Sequence, residues 1–175
     1  MSKLQYLTRG SASPQGKPRV YFCSHPKEQE FFLEPISQQI LKLQNCAIWY
    51  DPEPEVPDNW EELSADLSQM QLFVMPVTER LLTQSNRAMD KEFPFAVEHH
   101  IPVLPLMQES GLEEKFQKRF GNLQFLDANA HDSTAIPFEE KLQKFLNSIL
   151  IGDELAVKVR AAFDAYIFLS YRKKD

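Results

Sequence analysis

The densest group of metal-ligating residue types in the chain is Glu98-His99-His100. A zinc site needs ligands that converge on one point, and side chains on one helix converge when they are three or four residues apart. Neighbouring histidines on a helix point in different directions, and His25 and His131 are far away in the sequence. We therefore expect a solvated helix end here and predict no metal site.

Glycine and cysteine limit the chemistry further. The chain has five glycines, and they form neither a G-x-G-x-x-G nor a Walker sequence, the two common cradles for phosphate. This excludes a conventional dehydrogenase or kinase. Cys23 and Cys46 each lie in an apolar run that is typical of a strand. Buried reduced thiols are therefore predicted, and a disulfide or a reactive thiol is the alternative.

The composition is that of an acidic chain that can fold. Its 175 residues carry 19 Lys and Arg against 25 Asp and Glu, and the formal net charge of −6 argues against nucleic acid as a partner. Hydrophobic residues make up 43% of the chain and include 13 Phe, which is enough for a buried core. No apolar run reaches the roughly 18 residues of a membrane span, and the first residues lack the pattern of a secretion signal. We expect a cytoplasmic protein with no membrane partner.

Short apolar runs alternate with helical patterns along most of the chain. Continuous apolar runs of this length are typical of strands buried on both faces of a parallel sheet, and apolar residues that recur every three or four positions predict helices. The predicted strands are 19–24, 46–50, 72–76, 101–106 and 123–126. The predicted helices are 30–43, one capped by Asn59 with Leu63 and Leu67 buried, a short or broken one after Ser85 that contains Pro94, and one with Phe138, Leu142, Phe145 and Ile149 on one face.

This alternation predicts the fold class. It favours right-handed parallel crossovers and hence a doubly wound α/β fold, with a five-stranded parallel sheet flanked by helices as in flavodoxin. The domain spans 18–150, and 1–17 is expected to be a flexible leader.

Ligands of such sheets bind outside the carboxyl ends of the strands. We therefore expect chemistry in the loops after Ser24, Tyr50 and Pro76. The loop at 51–58 contains three prolines and four acids, which forbid regular structure. It is predicted to be either an association surface or a solvated connection.

The last residues repeat the first predicted strand. Residues 165–175 align without a gap on 19–29, with three identities. We predict that 164–175 is the truncated start of a second copy of the domain, after a linker helix at 151–163. The alternatives are a sixth strand of the same sheet and an ordinary tail.

The same terminal segment, Tyr166-Ile167-Phe168-Leu169-Ser170-Tyr171, closely resembles the opening box of Toll/interleukin-1 receptor (TIR) domains. Residues 18–150 then resemble a divergent, bacterial-type copy of that domain. Phe22-Cys23-Ser24-His25 is similar to the end of the family's first strand, and Ile48-Trp49-Tyr50-Asp51 to the second strand, which precedes the family's BB loop.

The later motifs follow in the family's order. The third strand at 72–76 precedes Ser85, and Glu92-Phe93-Pro94-Phe95-Ala96 resembles the family's Glu-hydrophobic-x-x-Ala sequence. The hydrophobic-Pro-hydrophobic fourth strand resembles 101–105. Val56-Pro57-Asp58 stands where the family usually has Pro-Gly in the BB loop.

The resemblance implies an activity and a site. Catalytic members of the family cleave the nicotinamide–ribose bond of NAD+, and Glu92 matches their required glutamate. One carboxylate can stabilise the positive charge that develops on the ribose, and nicotinamide leaves as a neutral ring without an acid. Phe22 and Trp49 are candidates to stack on nicotinamide or adenine, and Ser24 and Ser85 to bind ribose or phosphate. NAD+ would be the substrate, and no bound cofactor is expected.

Each of these residues has a structural alternative. Glu92 could be a solvated helix-face acid paired with Arg87 or Lys91, Phe22 and Trp49 could be sheet core, and the two serines could be turn or helix-cap residues. Two functions stay open. The chain is either a TIR-type signalling domain that binds and hydrolyses NAD+, or a catalytically silent TIR-like module that recruits other TIR domains by self-association.

Overall fold

A six-stranded sheet forms the centre of the computed structural model, which describes residues 4–55, 60–121, 123–127 and 138–150. The strands are β1 (Gln5–Thr8), β2 (Arg19–Phe22), β3 (Ala47–Tyr50), β4 (Leu72–Val77), β5 (Val103–Met107) and β6 (Leu126–Asp127). Their order is β1-β3-β2-β4-β5-β6, and every neighbouring pair is parallel except β1 with β3.

Helices cover both faces of this sheet. They are α1 (Gln29–Leu43), α2 (Trp60–Leu67), α3 (Glu79–Thr83), α4 (Phe93–Glu98), α5 (Glu113–Phe120) and α6 (Phe138–Ile149). The five residues Ala88–Glu92, directly before α4, form a π-helical turn that we call the π-turn. Buried residues of α2, α3, α4 and α5 join one core, and those of α1 and α6 join the other.

The two cores follow from the alternation of side chains along each strand. In β2, Tyr21 lies in the core under α2 to α5, together with Cys23, which follows the strand, whereas Val20 and Phe22 lie in the core under α1 and α6. All six residues of β4 are buried because both of its faces are covered. This explains why the central strands are continuous apolar runs. The predicted fold class, a doubly wound α/β fold, is confirmed.

β1 is a strand that the sequence pattern did not predict. Gln5–Thr8 lies within the range assigned to a flexible leader, yet it pairs antiparallel with β3, with Gln5 opposite Tyr50. The sheet therefore has six strands, not five, and one of them is antiparallel. A strand of four residues is too short to show a clear alternation, so only its pairing with β3 identifies it.

The predicted helices agree with the structure where it describes them. α1 begins at Gln29, α2 buries Leu63 and Leu67, and α6 begins at Phe138. Asn59, the predicted cap of α2, lies outside the described residues. The charged stretch after Gly111 forms α5, a helix that the sequence analysis left unassigned.

The segment around Pro94 is irregular, as predicted. Proline has no N–H to donate and its ring clashes with the carbonyl four residues earlier in an α-helix. The structure avoids this conflict because the π-turn widens the turn before α4, and Pro94 lies in the first turn of α4. The predicted short or broken helix is therefore confirmed.

The predictions for the cysteines, for the C-terminal segments and for membrane spans have different outcomes. Both cysteines are free and buried, in opposite cores, so the buried-thiol prediction is confirmed and the disulfide alternative is wrong. The linker helix at 151–163 and the second domain start at 164–175 lie outside the described residues. None of the helices that the structure describes is long and apolar enough to cross a membrane.

Candidate functional site

Glu92 lies in a buried cluster of charged side chains. Arg87 Nε is 2.6 Å from Glu92 Oε2, and Arg87 Nη2 is 2.9 Å from Asp51 Oδ2. The side chain of Glu92 is 2% exposed and that of Asp51 is 1%, whereas Arg87 is 17% exposed. One guanidinium therefore bridges two buried carboxylates and is the member of the cluster that reaches solvent.

Two side chains of the β2 segment also contact Glu92. The Tyr21 hydroxyl and the Cys23 thiol donate hydrogen bonds to its carboxyl group, from the sheet face that α2 to α5 cover. Burial raises the pKa of Glu92, although Arg87, Tyr21 and Cys23 all favour its charged form. Burial and the nearby Glu92 together raise the pKa values of Tyr21 and Cys23. Both groups therefore stay protonated and remain donors.

The charge of Arg87 is secured by its partners. Burial by itself lowers the pKa of Arg87, because it disfavours the charged guanidinium. The negative charges of Glu92 and Asp51 outweigh this effect, and the pKa of Arg87 is raised. A carboxylate bound in this way is not available to another cation unless Arg87 moves.

Asn86 positions the loop that carries Arg87. Its side-chain amide donates to the carbonyls of Leu81 at 3.2 Å and Gln84 at 2.8 Å, and its Oδ1 accepts from the N–H of Met89 at 3.0 Å. The backbone carbonyl of Asn86 also accepts from Asp90 at 2.9 Å. Asn86 thus joins the end of α3 to the start of the π-turn, which carries Glu92 at its last residue.

Asp51 fixes the start of the acidic loop at the carboxyl end of β3. Gln29 donates a 2.7 Å hydrogen bond to the Asp51 carbonyl, and the N–H of Glu53 donates to Asp51 Oδ1 at 2.9 Å. With Arg87 on the other carboxylate oxygen, Asp51 connects α1, the acidic loop and the charged cluster. The cluster therefore lies at the edge of the sheet where ligands of such folds bind.

The structure brings one of the four predicted wall residues to the same face as Glu92. Trp49 is paired with Tyr21 in the β2–β3 register and packs against the same core, and its ring is 5.1 Å from that of Tyr6. Phe22 belongs to the opposite core and is 1% exposed. The alternation of β2 places it on the side of the sheet away from Glu92, so Phe22 fits its structural alternative, sheet core.

The two predicted serines differ from each other. Ser24 is buried directly after β2, and its Oγ has no hydrogen-bond partner among the described residues. Ser85 is exposed, and its hydroxyl donates to Asp90 Oδ2 at 2.5 Å, which fits its alternative as a turn residue. A binding role for either serine stays a prediction.

The loops after β2 and β4 lie at the point where the strand order reverses. Two side-chain contacts join them. His25 Nε2 is 3.1 Å from Gln84 Oε1, and the Thr78 hydroxyl donates to Glu28 Oε1 at 2.6 Å. These contacts hold the two loops together beside the charged cluster.

Part of this cluster was predictable from the sequence. The structural alternative for Glu92 named Arg87 as its partner, and that pair is present, but the solvated setting of that alternative is wrong because the carboxyl is buried. A catalytic role for Glu92 stays a prediction. Lys91, the other proposed partner, lies 5.8 Å from the ring centre of Trp60. Tyr21 and Cys23 were missed because each reads as an ordinary strand residue in an apolar run.

The fold and this cluster define a doubly wound α/β domain with a charged site at the carboxyl ends of its strands. The residues described here include no group of three or more His, Cys, Asp and Glu that could hold a metal ion. Comparison with protein-family models and with curated proteins finds no match to the chain.

Proposed function

We propose that the chain is a TIR-type signalling module that works by docking to other TIR domains, with Glu92 withheld from chemistry in the described conformation. The class of the domain is proposed from the resemblance of the sequence motifs to TIR domains. The ion pair between Arg87 and the buried Glu92 is the observation that favours docking over NAD+ hydrolysis.

The choice rests on what a carboxylate must do to cleave NAD+. It has to lie beside the ribose at the moment positive charge develops there. Glu92 is 2% exposed, and its carboxylate already faces the guanidinium of Arg87 at 2.6 Å. A substrate cation and Arg87 cannot occupy the same side of this carboxylate together, so the closed cluster favours docking.

The acidic segment after β3 is the proposed docking surface. Glu53 and Glu55 are exposed, while Asp51 at the root of the segment is buried and bound by Gln29 and Arg87. A fixed root presents the exposed acids in a defined position at lower entropic cost than a free loop. Such acids steer association with a basic partner surface, and this effect weakens with salt.

Charge reversal tests the docking proposal. The variant Glu53→Lys/Glu55→Lys should alter the mass of the oligomers, and the salt dependence of that mass, in sedimentation velocity across a concentration series. Glu30→Lys/Glu34→Lys is the matched control, because it makes the same change of charge at two exposed positions of α1. Unchanged oligomer mass and salt response in the first variant would reject the acidic segment as the docking surface.

A second candidate, NAD+ cleavage at Glu92, is favoured by a specific observation. Burial raises the pKa of Glu92, and buried carboxyls with perturbed pKa values at a strand-end edge are frequent in catalytic sites. Glu92 would stabilise the oxocarbenium-like ribose while neutral nicotinamide leaves. This reaction requires Arg87 to leave the carboxylate.

Nicotinamide release tests the second candidate. The chain is incubated with NAD+ at concentrations that permit self-association, and nicotinamide is measured by chromatography. Any activity should be lost in Glu92→Gln and kept in Glu98→Gln, an exposed glutamate at the end of α4. Equal activity in both variants would assign the chemistry elsewhere.

A further inference from the structure

We propose that Arg87 is a removable plug: its guanidinium fills a cation site between Asp51 and Glu92, and Glu92 becomes reachable from solvent when the guanidinium leaves. The plug itself rests on the contacts of the described residues. Only its consequence for NAD+ rests on the second proposed function.

The geometry is that of a bound guanidinium. Nε donates a hydrogen bond to Glu92 at 2.6 Å, and Nη2 forms an ion pair with Asp51 at 2.9 Å, so two nitrogens of one planar group face two carboxylates. The acids come from different parts of the chain, one at the end of β3 and one in the π-turn. A planar fork of fixed donors matches this arrangement, and a lysine ammonium does not.

The exposures of the three side chains place Arg87 on the solvent side. Arg87 is 17% exposed, whereas Asp51 and Glu92 are 1% and 2% exposed. The side chain can swing outward about its own bonds while Asn86 keeps the backbone of the loop in place. No rearrangement of the sheet is needed for the acids to exchange their partner.

The chemistry of the site defines what can replace the plug. Two buried acids without a cation suffer mutual repulsion and loss of solvation, so the departure of Arg87 is compensated by another positive group or by a proton on one of the two carboxyls. A planar cation with two neighbouring N–H donors can face the same two carboxylates. A partner's arginine and a ligand with a delocalised positive charge both belong to this class.

Chemical rescue tests the plug directly. Arg87→Ala in the full chain leaves the cation site empty, and millimolar guanidinium chloride, far below its denaturing range, supplies the missing group. We expect its unfolding midpoint to rise by about 3 to 6 °C at roughly ten times the dissociation constant, relative to equal sodium chloride. Wild type and Arg80→Ala, which removes an exposed arginine of α3, should not respond in this way. Equal responses to the two salts in Arg87→Ala would overturn the proposal.

A second variant keeps the test decisive where Arg87→Ala fails to fold. Arg87→Ala/Asp51→Asn removes one of the two buried charges that have lost Arg87 and keeps Glu92 as an acceptor for guanidinium. The same specific stabilisation is expected in this variant, and its absence would overturn the plug.

Carboxyl labelling tests access to Glu92. Carbodiimide with an amine labels reachable carboxyl groups, and peptide mass spectrometry locates the label. Glu92 should be labelled in the Arg87→Ala variant, protected there by guanidinium, and unlabelled in wild type, while exposed Glu98 is labelled in all samples. Labelling of Glu92 at equal rates in wild type and variant would overturn the plug.

The outcomes separate this inference from the proposed functions. Rescue and protection by guanidinium without any nicotinamide release would support the plug and reject the NAD+ candidate. Nicotinamide release that depends on Glu92 and is equally fast with and without Arg87 would support that candidate and overturn the plug. Docking is measured separately through the charge reversal at Glu53 and Glu55.

Discussion

Two opposing influences act on the protonation of Glu92. Its burial favours the neutral acid, whereas Arg87 at 2.6 Å favours the carboxylate. The net direction is a raised pKa, with desolvation as the largest cause. The carboxyl also accepts hydrogen bonds from Tyr21 and Cys23, so its protonation affects its interactions with three other side chains. We therefore expect the stability of the fold to depend on the protonation of Glu92.

The raised pKa predicts a pH dependence with a definite sign. The folded chain binds a proton at Glu92 more tightly than the unfolded chain, whose glutamates titrate near about pH 4.3. The stabilisation from this group is thus fully present below that pH and is lost as the pH rises through the raised value in the folded state. The free energy of unfolding of wild type minus that of Glu92→Gln should fall with rising pH, by at most about 1.4 kcal/mol per unit.

Urea unfolding between pH 4 and 8 measures this difference in the free energy of unfolding. Glu98→Gln, at an exposed position, is the control, and its free energy of unfolding should differ from that of wild type by a nearly constant amount over this pH range. A difference for Glu92→Gln that rises with pH would mean that Arg87 outweighs burial and that the carboxyl has a lowered pKa.

The loop that joins α3 to the π-turn depends on the side-chain amide of Asn86. Asn86 satisfies two carbonyls and one N–H, and it is 8% exposed. Removing a capping side chain and leaving buried backbone groups without partners are both destabilising. The residues on either side of Asn86 carry the connection to Glu92.

We expect Asn86→Ala to lower the free energy of unfolding by about 1–3 kcal/mol. It should also release the Arg87 loop, which hydrogen exchange at 84–90 would show as faster exchange. Asn45→Ala, at an exposed position with no described side-chain hydrogen bond, should stay within about 0.5 kcal/mol of wild type. A loss in Asn86→Ala no larger than that of the control would show that the backbone holds this loop by itself.

The two cysteine thiols lie in different cores of the molecule and can report on the unfolding of each. Cys23 lies under α2 to α5 and Cys46 under α1 and α6. Burial raises the pKa of Cys46 to about 12 and that of Cys23 well above its usual range. A buried thiol with a raised pKa supplies almost no thiolate, which is the reactive form.

We expect neither cysteine to react with a disulfide reagent at pH 8 in the folded chain, and both to react as urea unfolds it. The variants Cys23→Ser and Cys46→Ser each keep one thiol, in one of the two cores. If the two cores unfold together, the remaining thiols should become labelled at the same urea concentration, once the difference in stability between the two variants is taken into account. Fast labelling of one thiol in the absence of urea would show that its side of the sheet opens locally.

The pattern of the sequence predicted most of the sheet and its helices. Strands such as 72–76 are apolar throughout because both faces are covered, and that burial is visible in composition alone. β1 was missed, because four residues at an edge carry little pattern and gain their structure from pairing with β3. The site was predicted in part: Glu92 was the candidate catalytic residue, its pairing with Arg87 belonged to the structural alternative, and its burial was not predicted.

The order of buried strands and amphipathic helices could be predicted from local residues, because burial gives each element its own spacing of apolar side chains. The contacts between polar groups could not be predicted in this way. Arg87 and Glu92 are five residues apart, a spacing that does not face on an α-helix, and the π-turn brings them together. Asp51 joins them from another strand end, because parallel crossovers gather distant loops at one edge of the sheet.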